Sequence, residues 1–227
     1  MALQRILEPE VMDSRKEAEE YNNMDHSAVN DVFVADLLAF AESVDAEDEF
    51  ELGDVLDLGT GTALIPIALC KAHAGCRVMA VDLAANMLDL AKFNVQAVSL
   101  GERINLAQID AKQMVFAEHM FDVSMSNSII HHIPDPIVSL KEMIRVTQED
   151  GILFVRDLMR PDEQEVLDGL VETYTGEETE YSQKLFRDSL HASLSLEEIR
   201  AMVVELGYKA DSVTATTDRH WTWATIR

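Results

Sequence analysis

The run DVLDLGTGTALIPIAL, positions 54–69, constrains the fold more than any other stretch. A short apolar strand bounded by Gly53 and Gly59 enters a Gly59-Thr60-Gly61 loop, and a helix follows at once. That helix, ALIPIALCKAHA, is apolar nearly all round, and Pro66 falls near its first turn, where proline is tolerated. The alternation then repeats. RVMAVDL is a second strand, and the next helix buries Leu88, Ala91, Val95 and Val98 and stops before Gly101. INLAQID (104–110), FDVSMSNS (121–128) and GILFVRDL (151–158) read as three more strands, with Pro134 opening a helix that runs to about Val146.

Strands alternating with helices imply a mostly parallel sheet covered on both faces, an α/β three-layer sandwich. Upstream, residues 13–44 read as helix, with Val29, Val32, Phe33, Leu37 and Phe40 at helical spacing behind the solvated DSRKEAEE. Downstream, 159–192 is a strongly acidic insert of one or two helices. SLSLEEIRAMVVELG is then a helix capped by Ser193 or Ser195 and ended by Gly207. Two β-like runs, 208–216 and 221–227, close the chain across a polar turn through Asp218 and Arg219. So short a connection forces them antiparallel. No repeat or linker breaks the chain, so 1–227 is expected to be one domain, divided at 47, 158 and 192.

The charge narrows the partners. Forty-two acidic residues against 18 basic ones give a formal net charge of -24, which repels phosphate backbones and anionic lipid. Neither nucleic acid nor membrane is expected as a partner. MALQRILEPEV is broken by charge too early for a signal peptide, and no run approaches a membrane span, so a cytoplasmic location is expected. Cys70 and Cys76 suggest neither a disulfide framework nor a zinc site, and the histidines show no spaced ligand set, so no metal is expected.

Ligands of such sheets lie beyond the carboxyl ends of the strands. The glycine loop sits there, but a dinucleotide fingerprint needs glycine at position 64, which is Leu64. Asp57, two residues before the loop, gives a pyrophosphate nothing and an ammonium group a partner. Asp82 closes the second strand, placed for two ribose hydroxyls. Asp110 closes the third, placed for an exocyclic adenine amine. An amino acid, a ribose and an adenine in a row describe S-adenosylmethionine. Each acid alone also fits a turn cap or an ordinary strand end; three at consecutive strand ends beside the loop argue against coincidence.

With these residues in view, the chain resembles the class I S-adenosylmethionine-dependent methyltransferases of small-molecule type, over about residues 50–158 and the terminal hairpin. The family's acid followed by G-x-G corresponds to Asp57-Leu58-Gly59-Thr60-Gly61, and its ribose and adenine acids to Asp82 and Asp110. The resemblance implies a Rossmann-like, seven-stranded sheet ending in an antiparallel hairpin. It places Leu83, Met87 and Ala111 near the adenosine and Asn127, in SNSIIHHIPDP, under the methionine part. It makes 48–158 the cofactor-binding core and 1–47 a lid carrying Tyr21, Met24 and His26 near the substrate. Many members have a third glycine where this chain has Ala63.

The expected reaction is in-line methyl transfer to a small-molecule acceptor, leaving S-adenosylhomocysteine. His131 and His132 are the candidate bases if the acceptor is protonated, or packing residues otherwise. Divergence of about 100° between neighbours on a helix lets at most one of them face a pocket. Arg156 is a candidate partner for an acidic substrate group, or for a surface carboxylate. Tyr174, Tyr181 and Phe186 line an acceptor cavity or simply pack the insert. Trp221 and Trp223 alternate onto one face of the hairpin. Two rival functions stand: a non-catalytic adenosylmethionine-binding sensor, and a nicotinamide-dependent oxidoreductase, which Leu64 and the closing hairpin disfavour.

Overall fold

The computed structural model describes residues 3–9, 11, 14–23, 27–44 and 51–227. Seven strands form one sheet: β1 (Asp54–Leu58), β2 (Arg77–Asp82), β3 (Ile104–Gln108), β4 (Phe121–Asn127), β5 (Thr147–Leu158), β6 (Val213–Ala215) and β7 (His220–Ile226). Their order is β3-β2-β1-β4-β5-β7-β6. β1 pairs in parallel with both β2 and β4, Asp57 lying opposite Ala80 on one side and Met125 on the other. β2 and β3 are also parallel, and β6 pairs antiparallel with β7, Val213 opposite Trp223. The expected seven-stranded mixed sheet with its closing hairpin is therefore present. The strand order reverses between β1 and β4, the point where such sheets open a crevice for ligands.

The chain forms two compact units. The larger holds residues 11–127, 138–155 and 224–227. Its helices are α1 (Arg15–Asn23), α2 (Ser27–Val44), α3 (Leu64–Ala72), α4 (Ala85–Ala97) and α5 (Pro136–Val146), whose first two residues belong to the other unit. Phe33 and Leu37 of α2, Leu69 of α3 and Ala91 of α4 pack with Val55, Ala80 and Met125 from the strands, all fully buried. Each large apolar side chain so buried contributes about 1.5–3 kcal/mol. Phe33 also meets Phe154 edge to face, ring centroids 5.2 Å apart. The helix expected over 13–44 is α1 and α2; residues 24–26, with Met24 and His26, lie outside the described residues.

The smaller unit holds 1–10, 128–137 and 156–223. The acidic insert folds as two helices, α6 (Gln164–Thr175) and α7 (Glu180–Ala192). Leu167, Leu170 and Val171 of α6 and Leu190 of α7 form a core with Leu158, joined by Phe186 and by Leu3. Phe186 therefore packs the insert, while Tyr181 is exposed and Tyr174 donates to Asp218 beneath the Arg219 guanidinium. α8 (Leu196–Glu205) starts on a full capping box: Ser195 accepts the Glu198 N–H while Glu198 accepts the Ser195 N–H. Trp221 and Trp223 are both fully buried.

Several boundaries differ from expectation, among them the first hairpin strand, expected over 208–216 and found at Val213–Ala215 behind a 3-10 turn at Ala210–Ser212. A 3-10 turn at Ile130–His132 occupies the chain after β4, so α5 starts at Pro136 rather than Pro134. β5 begins at Thr147 rather than 151, because the Thr147 hydroxyl donates to the Met143 carbonyl at 2.6 Å and joins helix to strand directly. β3 stops at Gln108, leaving Asp110 in the turn beyond it. No described helix is long and apolar enough to cross a membrane.

Candidate functional site

The carboxyl end of β1 turns sharply. Gly59 and Gly61 both take positive φ, 74° and 54°, a conformation that costs side-chain-bearing residues dearly and glycine little. The Gly59 and Thr60 N–H groups both donate to the Val81 carbonyl of β2, at 2.8 and 2.9 Å, which seats the loop on the neighbouring strand. Asp82 completes the tie. Its Oδ2 accepts the Gly61 N–H at 2.8 Å and its Oδ1 accepts the Ala84 N–H at 2.8 Å.

Ala63, expected as the first helical residue, instead precedes α3 at φ 61°, where the family's glycine would sit without strain. Its methyl is fully buried, so the strain of about 1 kcal/mol is offset by burial worth about 0.8 kcal/mol. Tyr21 of α1 stands over the loop: its Cε1 lies 3.7 Å from where a side chain on Gly61 would begin. Asn94 of α4 braces the same place, donating to Asn22 at 2.8 Å and to the Thr62 carbonyl at 3.0 Å.

Asp57 is the unusual group. It is 2% exposed, and burial, against the Thr60 hydroxyl and with the Asp82 charge, pushes its carboxyl up to about 7. Among the described residues, none of the groups acting on it is a cation. A buried acid so placed is stabilised most by an ammonium group brought to it, as the amino-acid end of S-adenosylmethionine would do. The Thr62 hydroxyl is also buried without a hydrogen-bond partner among the described residues. The residues present thus fit that cofactor.

Met87 packs with Ala18 and Ala84 at the start of α4, next to half-buried Leu83. Asp110 is half-buried, and although burial raises it, Lys112 outweighs this and holds its carboxyl low, the Nζ 2.9 Å away. Ala111 sits beside it in the turn, and Asn127 ends β4, half-buried. Apart from Met87, in the first turn of α4, these positions from Asp57 to Asn127 lie at the carboxyl ends of β1 to β4 or in the turns beyond.

The remaining candidates lie in the smaller unit. Arg156 is buried inside β5, and its Nε donates to the Thr222 hydroxyl of β7 at 2.9 Å. His131 and His132 do not diverge as neighbours on a helix would. On the 3-10 turn their rings tilt together, centroids 4.1 Å apart, and both approach Glu8. His131 Nδ1 lies 2.5 Å from Asp157 Oδ1, and the His131 N–H donates to Asp157 Oδ2 at 3.1 Å. Burial alone would lower the His131 imidazolium, but Asp157 and Glu8 outweigh it and hold it above its usual range. His132 is pushed down to about 3 by burial and by His131. Glu8 carried no signal in the sequence, since its short segment has no periodicity and its partners are distant in the chain.

The fold is that of the solved methyltransferases on which the chain superposes, and the residues at the strand ends fit S-adenosylmethionine. Residues 56–155 match the family model described as a methyltransferase domain. Among curated proteins, the demethylmenaquinone methyltransferase of Porphyromonas gingivalis is 32% identical over 108 residues, 47% of this chain and 44% of that one. The release factor glutamine methyltransferase of Rhodopirellula baltica is 40% identical over 73 residues, 32% of this chain and 25% of that one. The matches thus span less than half the length of these relatives. Among solved structures, the plantazolicin methyltransferase BpumL bound to SAH superposes with a TM-score of 0.70 at 16% identity, over 85% of this chain and 68% of that one. A methyltransferase from Methanococcus maripaludis described as putative superposes with a TM-score of 0.66 at 17% identity, over 96% and 95%. At such identities the structures establish the fold.

Proposed function

We propose that the protein transfers the methyl group of S-adenosylmethionine to a small-molecule acceptor. The buried Asp57 carboxyl beside the glycine loop carries this reading, since among the described residues no cation acts on it and the cofactor brings one. The cofactor supplies a methyl already activated on a sulfonium, so the chain's residues have mainly to hold and align. In this reading Asp57 takes the α-ammonium, the Gly59-Thr60-Gly61 backbone closes on the amino-acid end, and Asp82 accepts from the ribose hydroxyls. Asp110 accepts from the adenine amine, Leu83, Met87 and Ala111 flank the adenosine, and Asn127 lies under the methionine portion. Tyr21 over Gly61 supports a covering role for the N-terminal helical segment. Transfer is an in-line displacement that leaves S-adenosylhomocysteine.

A small acceptor is favoured for two reasons. Several relatives matched over 101 to 113 residues are named demethylmenaquinone or ubiquinone/menaquinone methyltransferases, and the release-factor match covers only a third of this chain. The net charge of -24 disfavours nucleic acid. His131 is already engaged by Asp157 and Glu8, which supports positioning rather than base catalysis as the enzyme's contribution. The test is S-adenosylhomocysteine release across a panel of quinols, phenols, amines and thiols. Acceptor-dependent release, abolished by Asp82→Ala, is the expected result. Tight cofactor binding with no turnover on any acceptor would favour the sensor reading.

A further inference from the structure

Outside the cofactor site, three side chains from distant parts of the chain converge. Glu8 comes from the N-terminal segment, and His131 and His132 from the turn after β4. Glu8 Oε1 lies 3.5 Å from His131 Nε2 and 3.1 Å from His132 Nδ1, and the three donor atoms all lie within 4.8 Å of one another. We propose that Glu8, His131 and His132 bind a divalent transition-metal ion.

The separations suit it. Ligands about 2.0–2.1 Å from a tetrahedral zinc lie roughly 3.3 Å from each other, between the two observed distances. The proton positions suit it as well. His131 gives its Nδ1 to Asp157, which leaves the Nε2 lone pair toward Glu8, the carboxylate–histidine arrangement common behind metal ligands. His132 makes a ring hydrogen bond to the Pro9 backbone, while its Nδ1 is buried without a hydrogen-bond partner among the described residues. The ring bond therefore uses Nε2–H, and the Nδ1 lone pair also points into the cluster. That nitrogen is 3.1 Å from Glu8 Oε1 yet makes no hydrogen bond to it.

The rest of the shell fixes the ligands. Ser189 of α7 donates to both Glu8 oxygens, at 3.2 and 3.4 Å. Arg5 donates to the His131 and Ile133 carbonyls at 3.1 and 3.0 Å, holding the N-terminal segment against the turn. With both imidazoles neutral, Glu8 and Asp157 carry two negative charges against the one positive charge of Arg5, so a cation at the cluster is favoured. Two imidazoles and a carboxylate suit zinc, iron(II) or nickel over magnesium or calcium, and three protein ligands leave a position for water or an oxygen ligand. The ion would fasten the N-terminal segment to the 130–132 turn. This inference does not rest on the methyl-transfer reading.

The test uses the full chain without an affinity tag, stripped by chelator and titrated with zinc under excess magnesium, which occupies the many surface carboxylates. One zinc per chain is expected, with affinity falling about 100-fold in Glu8→Gln and His132→Ala, and 10- to 100-fold in Asp157→Asn. Cobalt(II) provides a readout on wild type alone: a visible absorption band that one equivalent of zinc abolishes. No zinc uptake by wild type, or uptake unchanged in both Glu8→Gln and His132→Ala, overturns the assignment.

Discussion

The Asp82 carboxylate and the Gly61 amide are joined at 2.8 Å, so the acid at the end of β2 holds the glycine loop at the end of β1. Asp82 therefore has two duties in the proposed site: it shapes the loop, and it presents oxygens to the ribose. Hydrogen bonds to a charged group are worth about 1.5–3 kcal/mol each. Asp82→Ala is expected to weaken S-adenosylmethionine binding by about 100-fold or more in calorimetric titration. Wild-type affinity in that variant would remove the ribose assignment.

Asp57 makes a pH-dependent prediction. Its folded-state carboxyl titrates at about 7 against an ordinary 3.8, so without ligand the folded state favours the proton. The protein without cofactor should therefore lose stability as pH rises from about 4 to 7, by up to a few kcal/mol from this group. Asp57→Asn should flatten that slope in urea denaturation. An ammonium partner requires the carboxylate, so cofactor binding at pH 6.5 should release most of a proton. Titration in buffers of different ionisation enthalpy measures this, and zero release would detach Asp57 from the ammonium role.

What the sequence revealed follows from how local each feature is. The β1–loop–α3 unit is contiguous, and positive-φ glycines next to a strand-end acid leave a mark within a few residues. Ala63 was misplaced because alanine gives no sign of the left-handed conformation it adopts before α3. The start of α5 was misplaced because prolines stand at both 134 and 136, and a 3-10 turn separates the strand from the second. Arg156 reads from the sequence as a candidate partner for an acidic group, and its bond to Thr222, 66 positions later, leaves no local mark. The meeting of Glu8 with His131 and His132 is set by Ser189 and Asp157, far from Glu8 in the chain, and by Arg5, which is near Glu8 but 126 positions from His131.

His132 separates the two sites. It belongs to the smaller unit, while the residues from Asp57 to Asn127 belong to the larger. His132→Ala is expected to leave S-adenosylmethionine affinity within about twofold of wild type. A large loss would bring His132 into the cofactor site.

The α8 cap gives a purely structural check. Ser195→Ala removes the acceptor of the Glu198 N–H, while Arg160 still holds the Glu198 carboxylate at 2.6 Å. A loss of about 1 kcal/mol is expected in chemical denaturation, with cofactor affinity unchanged.

The measurement that tests the central claim most directly is a thermal-shift titration with S-adenosylmethionine, S-adenosylhomocysteine and NADH in parallel. A ligand at 100 times its dissociation constant adds about 2.7 kcal/mol. For a chain of 227 residues that raises the midpoint by roughly 5–10 °C. The expected result is that rise with the two adenosyl ligands and none with NADH. A rise with NADH alone would contradict the cofactor assignment and leave the oxidoreductase reading in its place.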